Sequence, residues 1–224
     1  MKTSVLIPAY NEEKTIREVM RRVLALPIEK EIIAVDNGSL DGTGMVLKEF
    51  ASKPGVIVLR VRKNVGKGDA VRKALARATG GVVVVQDADL EYPPEDIPKL
   101  LRPILEGKAD AVYGVRTTGS SRGMGATHRF GNWSLTTAAR LLYGSRLSDI
   151  ETGHKAFRRE LIGAHELKSE NFEIENELTV KLLKKNCRIA EVPIAYRARK
   201  QGKKITVLDG VRLFAWLVRN RFAW

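Results

Sequence analysis

Residues 82–94 read Val-Val-Val-Val-Gln-Asp-Ala-Asp-Leu-Glu-Tyr-Pro-Pro. Four consecutive valines are typical of a short strand that is buried on both faces of a sheet. Carboxylates follow at Asp87, Asp89 and Glu91, and carboxylates crowded at the end of a buried strand repel one another unless a cation binds between them. Oxygen ligands favour Mg²⁺ or Mn²⁺. Taken alone, the pattern fits a metal site and a solvated acidic turn equally well.

Length and composition indicate a globular protein. The chain has 224 residues, of which 44% are hydrophobic and 29% charged, so we expect one domain over residues 1–224. The single cysteine, Cys187, excludes an internal disulfide bond. No secretory signal is recognisable, and no apolar run reaches the roughly 18 residues of a membrane span. We therefore expect a cytoplasmic protein.

Positive charge is concentrated near the end of the chain. The net charge is +13, and residues 188–224 carry nine Lys and Arg against two acidic residues, a net +7 (9 − 2). Such a field favours an anionic partner, either nucleic acid, a phosphorylated substrate or an acidic lipid surface. A solvated basic face is the alternative.

Strand-like and helix-like patterns alternate through the first half of the chain. Strands are predicted at residues 3–7, 31–35, 56–61, 82–86 and 109–115, with helices at 12–26, from about 41, at 67–77 and at 97–105. This alternation predicts an α/β fold with a mainly parallel sheet and helices on both faces. Beyond Arg116 we expect a mobile loop at 117–127, a helix at 129–143, irregular or strand-like structure at 149–157, a helix at 173–186, a strand at 188–192, a basic loop at 199–204 and a helix at 207–222.

Polar residues follow each of the five predicted strands, at the edge where open α/β sheets bind ligands. They are Pro8, Tyr10, Asn11 and Glu12, then Asp36 to Ser39, then Asn64 and Gly66 to Gly68, then Asp87 and Asp89, and finally Arg116. Any one of them could be a helix cap or a turn residue. Five such groups along one edge predict a binding cleft.

Two of these groups suggest a nucleotide. A carboxylate at Asp36 could accept from a ribose hydroxyl or a base N–H, or it could cap a turn. Lys67 begins a helix whose N–H groups could meet a phosphate, or it could be a surface lysine. The spacing around Lys67 is not that of a Walker loop, and no Gly-x-Gly-x-x-Gly follows the first strand, which counts against a dinucleotide-dependent dehydrogenase.

Four linked motifs resemble family 2 glycosyltransferases. They are Val5-Leu-Ile-Pro-Ala-Tyr-Asn-Glu-Glu13, Val35-Asp-Asn-Gly-Ser39 with Asp41-Gly-Thr43, Asn64-Val-Gly-Lys-Gly68, and Asp87-Ala-Asp89. The similarity continues through Asp149-Ile-Glu-Thr-Gly153, Lys155-Ala-Phe157 and Phe172-Glu-Ile-Glu-Asn-Glu177 to Val192-Pro-Ile194. It is strongest to the dolichol-phosphate mannose synthase group, which transfers sugars to polyprenyl phosphates. The resemblance implies an inverting, metal-dependent enzyme of the GT-A fold that uses a nucleotide-sugar.

The resemblance also implies roles for individual residues. It implies that the nucleotide is bound by Pro8, Tyr10, Glu12 and Asp36. The metal and diphosphate fall to Asp87 and Asp89, with Glu91 at a position that is commonly Gln in that group. Arg116 and Arg129 match acceptor-phosphate residues. Arg199 and Lys204 lie in a loop that closes over the site, although this loop is one residue shorter than the usual pattern.

These observations lead to one mechanistic hypothesis, with catalysis assigned to Asp89, Arg116 and Arg129. A sugar, with mannose favoured and glucose next, passes from a nucleotide diphosphate sugar such as GDP-mannose to a polyprenyl monophosphate. The second pKa of a phosphate is about 6, so the acceptor oxygen is already largely anionic and needs positioning cations more than a strong base. Arg199 and Lys204 are further candidates for these cations, and Lys67 is the candidate for the phosphate of the nucleotide.

Two alternatives remain open from the sequence. A hydroxyl acceptor would need a general base, for which Asp149, Glu151 and Glu175 are candidates. A nucleotide- or RNA-binding protein without activity would explain the charge, but recognisable RNA-binding motifs are missing. We therefore expect no nucleic-acid partner.

The last segment, residues 207–224, is predicted to form a basic, aromatic amphipathic helix. Its apolar residues include Phe214, Trp216, Leu217, Phe222 and Trp224, interleaved with Arg212, Arg219 and Arg221. This pattern suits an anionic membrane surface or a small membrane partner, which would give a peripheral membrane protein. A helix that closes the core is the alternative.

Overall fold

The computed structural model describes residues 1–122, 126–198 and 207–222 of the chain. The strands are β1 Thr3–Ala9, β2 Lys30–Asp36, β3 Val56–Arg60, β4 Val82–Val85, β5 Ala111–Arg122, β6 Lys155–Arg158 and β7 Ile189–Arg197. The helices are α1 Glu13–Ala25, α2 Thr43–Lys48, α3 Lys67–Leu75, α4 Ile97–Leu105, α5 Ala126–Tyr143, α6 Ile174–Lys184 and α7 Val207–Asn220. The predicted alternation of strands and helices is confirmed, with boundaries that move by a few residues.

All seven strands belong to one sheet, in the order β3-β2-β1-β4-β6-β5-β7. Every neighbouring pair is parallel except those of β6, which runs antiparallel to both β4 and β5. The mainly parallel α/β sheet is therefore as predicted. The antiparallel strand between β4 and β5 was expected only as irregular or strand-like structure, because a four-residue strand leaves a weak sequence pattern.

The four valines of β4 serve both faces of the sheet. Val83 and Val85 pack into the core formed with α3, α5, α6 and α7, and Val82 and Val84 pack into the core formed with α1, α2 and α4. Successive side chains of a strand point to opposite faces, so a strand covered on both sides must be apolar throughout. Each fully buried valine contributes about 1.5–3 kcal/mol of transfer free energy. Helices on both faces are thus confirmed.

Strand β5 continues into the segment that was predicted to be a loop. Its backbone remains in a strand up to Arg122, and its pairing with β7 resumes at Ser121 and Arg122 after an irregularity that begins at Arg116. The prediction of a loop at 117–122 is therefore wrong. Gly, Ser and Thr are poor predictors of a strand, but strand formation depends strongly on the neighbouring strand, and β7 provides that neighbour.

A buried carboxylate joins three segments at the amino-terminal edge of the sheet. Glu31, at the start of β2, accepts hydrogen bonds from Ser4 Oγ (2.5 Å), the Thr79 backbone N–H (2.6 Å) and the Gly80 backbone N–H (3.2 Å). Lys2 lies 2.6 Å from the same carboxylate. Burial acts to raise its pKa, but these donors outweigh burial and lower the pKa of Glu31 to about 2. One side chain therefore fixes the starts of β1 and β2 and the approach to β4.

We expect Glu31→Gln to lower the free energy of unfolding at pH 7 by about 2 kcal/mol, since hydrogen bonds to a charged group contribute about 1.5–3 kcal/mol. A carboxyl whose pKa is lowered by folding adds stability above its unfolded pKa and loses it as the pH falls through the folded pKa. The advantage of the wild type should therefore be full at pH 7 and shrink between pH 4.5 and about 2. Urea denaturation at pH 7 and pH 3 measures it.

Glu29→Gln is the matched control, because that side chain is 70% exposed and, among the residues that the structure describes, pairs only with the amino terminus. It should change the free energy of unfolding by no more than about 0.5 kcal/mol. Equal stabilities of the two variants at pH 7 would contradict the role given to Glu31.

Candidate active site

The loops that follow β1 and β2 are joined at the carboxyl edge of the sheet. The backbone N–H of Asn37 donates to the carbonyl of Ala9 at 2.8 Å. The N–H of Asn11 donates to Ser39 Oγ at 3.0 Å, and the N–H of Leu40 donates to Asn11 Oδ1 at 2.8 Å. The first two groups of predicted site residues therefore form one hydrogen-bonded rim.

Pro8 marks the point where β1 extends past β4. Strand β4 pairs with β1 only from Thr3 to Leu6, and the N–H of Gln86 ends this ladder on the carbonyl of Leu6 at 2.9 Å. Alternate residues of a strand face the same neighbour, so the N–H that proline lacks would point past the end of β4. No ladder hydrogen bond is lost there, and the sheet opens beside Pro8.

Glu12 lies where this rim meets the end of β4. It is buried, and its backbone N–H donates to Thr43 Oγ1 at 2.8 Å. The Thr15 hydroxyl lies between the Glu12 carboxylate (3.1 Å) and the carbonyl oxygen of Ala88 (2.7 Å). Tyr10 is half-buried on the same loop. Thr15 thus links Glu12, a predicted nucleotide residue, to the Asp87–Asp89 turn.

Asp36 is buried and has one oxygen without a hydrogen bond. Its Oδ1 accepts from the backbone N–H of Ser39 at 3.0 Å, which is the turn-capping role. Its Oδ2 accepts no hydrogen bond from the described residues, and the exposed Arg60 approaches it only to 3.5 Å. Both interpretations of Asp36 therefore fit, because the turn uses one oxygen and the other remains available to a donor on a ligand.

The turn after β4 is held in an unusual backbone conformation. Leu90 has φ +62°, in the left-handed region that non-glycine residues seldom adopt. Asp89 Oδ1 accepts from the backbone N–H of Glu91 at 3.0 Å, and the Gln86 amide donates to the carbonyls of Asp87 (3.1 Å) and Tyr92 (2.9 Å). These bonds fix the turn and so set the direction of its carboxylates.

The structure does not bring the predicted metal trio together. Within residues 1–122, 126–198 and 207–222, no three Asp, Glu, His or Cys side chains gather as ligands of one ion. Glu91 Oε2 instead accepts from the Tyr196 hydroxyl at 2.8 Å. Asp87 and Asp89 remain, and a pair of carboxylates completed by substrate phosphate oxygens and water is a usual Mg²⁺ site. Burial and, to a smaller extent, the charge of Asp89 raise the pKa of Asp87, so a cation would relieve repulsion there.

Asp87 is the first member of a chain of four charges, in which Glu175 and Lys155 are buried and Asp87 and Lys67 are partly buried. Lys67 Nζ lies 2.6 Å from Asp87 Oδ1 and 2.9 Å from Glu175 Oε1, and Lys155 Nζ lies 2.5 Å from Glu175 Oε2. We call Asp87, Lys67, Glu175 and Lys155 the charge relay. Lys67 was predicted as a site residue, and Glu175 was predicted only as a candidate base. Lys155 was given no functional role from the sequence.

Burial and pairing shift the pKa values of the relay in different directions. Burial raises the pKa of Asp87 to about 6, with Lys67 opposing and Asp89 and Glu175 adding to the rise. Burial would also raise the pKa of Glu175, but Lys155 and Lys67 outweigh it and lower that pKa to about 2. The pKa of Lys67 is raised, because its two carboxylate partners outweigh burial. Lys67 and Glu175 are therefore charged, and Asp87 is the least satisfied member.

Arg116 faces the site from β5, already paired with a carboxylate. Its Nε and Nη2 each donate to Asp149 at 2.7 Å, and its guanidinium lies 5.4 Å from the centre of the Tyr196 ring. Burial acts to lower its pKa, but Tyr92 and Asp149 outweigh burial and raise the pKa well above its ordinary value. The Nη1 group donates to no residue that the structure describes. Arg116 is therefore fixed in direction and keeps one donor group for a ligand.

Glu151, near Arg116, is one of the residues predicted as a general base for a hydroxyl acceptor. Its Oε1 is buried without a hydrogen-bond partner in the described part of the chain. Burial raises the pKa of Glu151 to about 7, against the attraction of Lys155. The sequence signal was only its place in the Asp149–Gly153 motif. A carboxyl group that changes protonation near neutral pH is suited to proton transfer.

The remaining predicted cations are less well placed by the structure. Arg129 lies near the start of α5 with an exposed side chain, and it forms no ion pair with any described residue. Its contact with an acceptor stays a prediction. Arg199 and Lys204 lie outside the described residues.

The family model described as "Glycosyl transferase family 2" matches residues 4–165. The chain belongs to glycosyl transferase family 2. The family 2 domain thus includes the rim, the Asp87–Asp89 turn, Arg116 and Glu151.

Relatives cover this family 2 chain almost completely. It is 33% identical to a dolichol-phosphate mannosyltransferase of Pyrococcus furiosus over 97% of its own length, but it spans 62% of that relative. It is 35% identical to a dolichyl-phosphate hexose transferase of Haloferax volcanii, covering 92% of this chain and 88% of the relative. Among solved structures, glucosyl-3-phosphoglycerate synthase from Mycobacterium tuberculosis with Mn²⁺, uridine diphosphate and phosphoglyceric acid matches with a TM-score of 0.77 and 27% identity, over 98% of this chain and 78% of that one. The fold is GT-A.

Gly153 provides a test of the Asp87 geometry. A Cβ at this position would lie 2.3 Å from Asp87 Oδ2 and 3.3 Å from Lys67 Nζ, so Gly153→Ala must displace the carboxylate. We expect Mn²⁺ affinity to fall by at least about 10-fold, because a ligand moved by about 1 Å loses its geometry. Titration calorimetry with Mn²⁺ and a nucleoside diphosphate measures this affinity.

Gly131→Ala is the matched control, since a Cβ there meets nothing within 4 Å. Alanine in the interior of α5 should raise stability by up to about 1 kcal/mol and leave Mn²⁺ affinity unchanged. Unchanged affinity in Gly153→Ala would show that Asp87 does not bind the ion in this orientation.

Proposed function

We propose that the protein is an inverting, metal-dependent glycosyltransferase that transfers a sugar, mannose first and glucose next, from a nucleotide diphosphate sugar to a polyprenyl monophosphate. The observation that carries the proposal is the meeting of the Asp87–Asp89 turn with Lys67 at the sheet edge that also holds Asp36. The P. furiosus and H. volcanii relatives are named for transfer to dolichyl phosphate, which supports the acceptor class.

The donor side of the proposed site combines a carboxylate pair with the partly buried ammonium group of Lys67. Asp87 and Asp89 would hold Mg²⁺ or Mn²⁺, which stabilises the charge of a leaving diphosphate when bound. Lys67 is held 2.6 Å from Asp87 and so stands where it can donate to a diphosphate oxygen. Asp36 Oδ2, which accepts no hydrogen bond from the described residues, would accept from the nucleoside, and Pro8, Tyr10 and Glu12 would line its pocket.

The acceptor side needs cations more than a base. A phosphate monoester is already anionic near neutral pH, since its second pKa is about 6. Its oxygen can attack the face of the anomeric carbon opposite the diphosphate, which inverts the configuration at that carbon. Arg116, held by Asp149, offers its Nη1 group to the phosphate, and Arg129 is the second candidate. Asp149 fixes the direction of the guanidinium.

A hydroxyl acceptor is the second candidate, and Glu151 favours it. A hydroxyl must lose its proton during attack, and a carboxylate with a pKa of about 7 is suited to accept it. The M. tuberculosis structural relative was crystallised with phosphoglyceric acid, which carries a hydroxyl as well as a phosphate. Under the polyprenyl-phosphate proposal, Glu151 has no proton to take.

A transfer assay tests the donor, the acceptor and the metal together. GDP-mannose, UDP-glucose and UDP-N-acetylglucosamine are each offered with Mn²⁺ and either a polyprenyl phosphate or a soluble hydroxyl acceptor. We expect transfer to the polyprenyl phosphate, and a loss of at least about 100-fold in kcat/KM for Asp89→Asn, since a metal ligand that acts in the transition state is removed.

Asp110→Asn is the control, because Asp110 pairs with Arg188 away from the carboxyl edge and should keep full activity. Glu151→Gln separates the acceptor classes. Transfer to the polyprenyl phosphate should survive this change, whereas loss of transfer to a hydroxyl acceptor only would support the second candidate. Full activity of Asp89→Asn would remove the metal from the mechanism.

We also propose that helices α5 and α7 bind an anionic membrane surface. They pack on each other through Leu135, Ala139, Leu213 and Leu217. Their outer faces leave large apolar side chains exposed: Phe130, Trp133 and Leu141 on α5, and Val211, Phe214, Val218 and, just beyond α7, Phe222. Within the described part of the chain, no helix is long and apolar enough to cross a bilayer. Exposed rings beside Arg212 and Arg219 are typical of peripheral binding.

The double variant Trp133→Ser with Phe214→Ser should float poorly with vesicles that contain anionic lipid, with binding reduced by at least about 10-fold because two interfacial rings are lost. Deleting α7 would be a poorer test, since Leu213 and Leu217 belong to the core. Leu40→Ser with Met45→Ser is the control, because those side chains are 88% and 74% exposed on another part of the surface. Equal flotation of the two double variants would argue against this membrane face.

A further inference from the structure

Two buried glutamates at the start of α6 satisfy their charges in different ways. Glu175 is 5% exposed and Glu177 is 1% exposed, and an unpaired buried carboxylate is strongly destabilising. Glu177 accepts from the backbone N–H groups of Lys168 (2.9 and 3.0 Å) and Ser169 (2.8 Å). Glu175 instead lies between two lysine ammonium groups. Two glutamates on one helix are thus stabilised differently: Glu177 by backbone groups close to it in the sequence, and Glu175 by lysines that are distant in the sequence.

The ion pairs of Glu175 extend through Lys67 to Asp87, a proposed metal ligand. In the charge relay, negative and positive groups alternate from Asp87 through Lys67 and Glu175 to Lys155, at separations of 2.6, 2.9 and 2.5 Å. The four charges sum to zero. An ammonium group has three N–H donors, and the two carboxylate partners of Lys67 leave one for a further acceptor. Glu175 therefore decides where this third donor points.

Lys67 is in an unfavourable place for a cation without Glu175. It is the first residue of α3, and the amino end of a helix carries partial positive charge. Glu175 lies in the first turn of α6, where the same effect favours an acid. A single carboxylate thus offsets the unfavourable position of Lys67, and it also keeps Lys67 from pairing with Asp87 alone.

The other end of the relay reaches the acceptor side. Lys155 Nζ donates to the carbonyls of Ile150 (2.9 Å) and Thr152 (2.6 Å), which flank Glu151. Gly153, one residue further, lies against Asp87 without room for a Cβ. The relay therefore supports the backbone of the Asp149–Gly153 motif as well as the position of Lys67.

We propose that Glu175 is a positioning residue for donor binding: it holds Lys67 so that Asp87 can bind a divalent cation while the Lys67 ammonium meets the donor diphosphate. This inference rests on the function proposed above and adds a residue that acts through another. Without Glu175, Lys67 would pair with Asp87 alone and compete with the cation for that carboxylate. The negative charge that attracts the cation would also be smaller.

Glu175→Gln and Glu177→Gln form a matched pair, since both remove a buried charge from the same helix. Mn²⁺ binding is measured by electron paramagnetic resonance, and GDP and UDP binding in the presence of Mn²⁺ by titration calorimetry. We expect Glu175→Gln to raise the Kd for Mn²⁺ with nucleotide by about 10–100-fold, as for other residues that orient metal ligands. The KM for the donor should rise more than the KM for the acceptor. Glu177→Gln should lower the Tm and leave both binding constants of the folded protein unchanged.

Glu175→Asp is the second variant, used in case Glu175→Gln does not fold. It keeps the charge, but the shorter side chain reaches one lysine at most, so we expect an intermediate loss of nucleotide affinity and a smaller fall in Tm than in Glu175→Gln. Wild-type affinity in Glu175→Asp, or equal affinities in Glu175→Gln and Glu177→Gln, would overturn the inference while leaving the proposed function in place. Failure of the wild type to bind either nucleotide with Mn²⁺ would overturn the proposed function and the inference with it.

Discussion

Repulsion between carboxylates at the end of a strand buried on both faces is the constraint on which this site depends. Asp87 cannot retreat into the sheet, because the valines before it are enclosed by helices, and it cannot move sideways, because Gly153 lies against it. Its charge must therefore be met where it stands. Lys67 meets part of it, and the neighbouring Asp89 adds to the deficit. Because Lys67 does not fully neutralise these carboxylates, the site still favours a cation, and it is therefore suited to bind a metal ion and a diphosphate together.

The two edges of the sheet are stabilised in different ways. At the amino-terminal edge, Glu31 is surrounded by donors that satisfy it fully, and its lowered pKa reflects that. At the carboxyl edge, Asp36 Oδ2 and Glu151 Oε1 lack hydrogen bonds from the described residues, and Leu90 adopts a left-handed conformation. Unsatisfied groups and backbone strain persist only where the surrounding structure imposes them. The well-paired edge supplies stability that the functional edge does not.

The sequence predicted what depends on local pattern. The valine run, the helical apolar spacing of α1 and the polar residues after each strand all lie in short segments, so the α/β sheet and the rim from Pro8 to Asp36 followed from them. The pairing of Glu175 with both Lys67 and Lys155 could not be predicted, because these residues are apart in the sequence and meet only in the folded chain. The extension of β5 depends on β7 in the same way. Glu91 was expected to bind metal, and only the structure showed Tyr196 as its hydrogen-bond partner.

Strand β6 runs opposite to its neighbours, and the residues proposed for the donor and for the acceptor come from different parts of the chain. Because β6 is antiparallel to its neighbours, its beginning, not its end, lies at the carboxyl edge, and the Asp149–Gly153 motif enters the site from the opposite direction to the other loops. The residues proposed for the donor lie within the first 91 positions, apart from the support given by α6, whereas those described on the acceptor side come from β5 onward. Such a division lets substitutions, or exchange of the later segment between related genes, alter which molecule receives the sugar while the nucleotide-binding half stays intact.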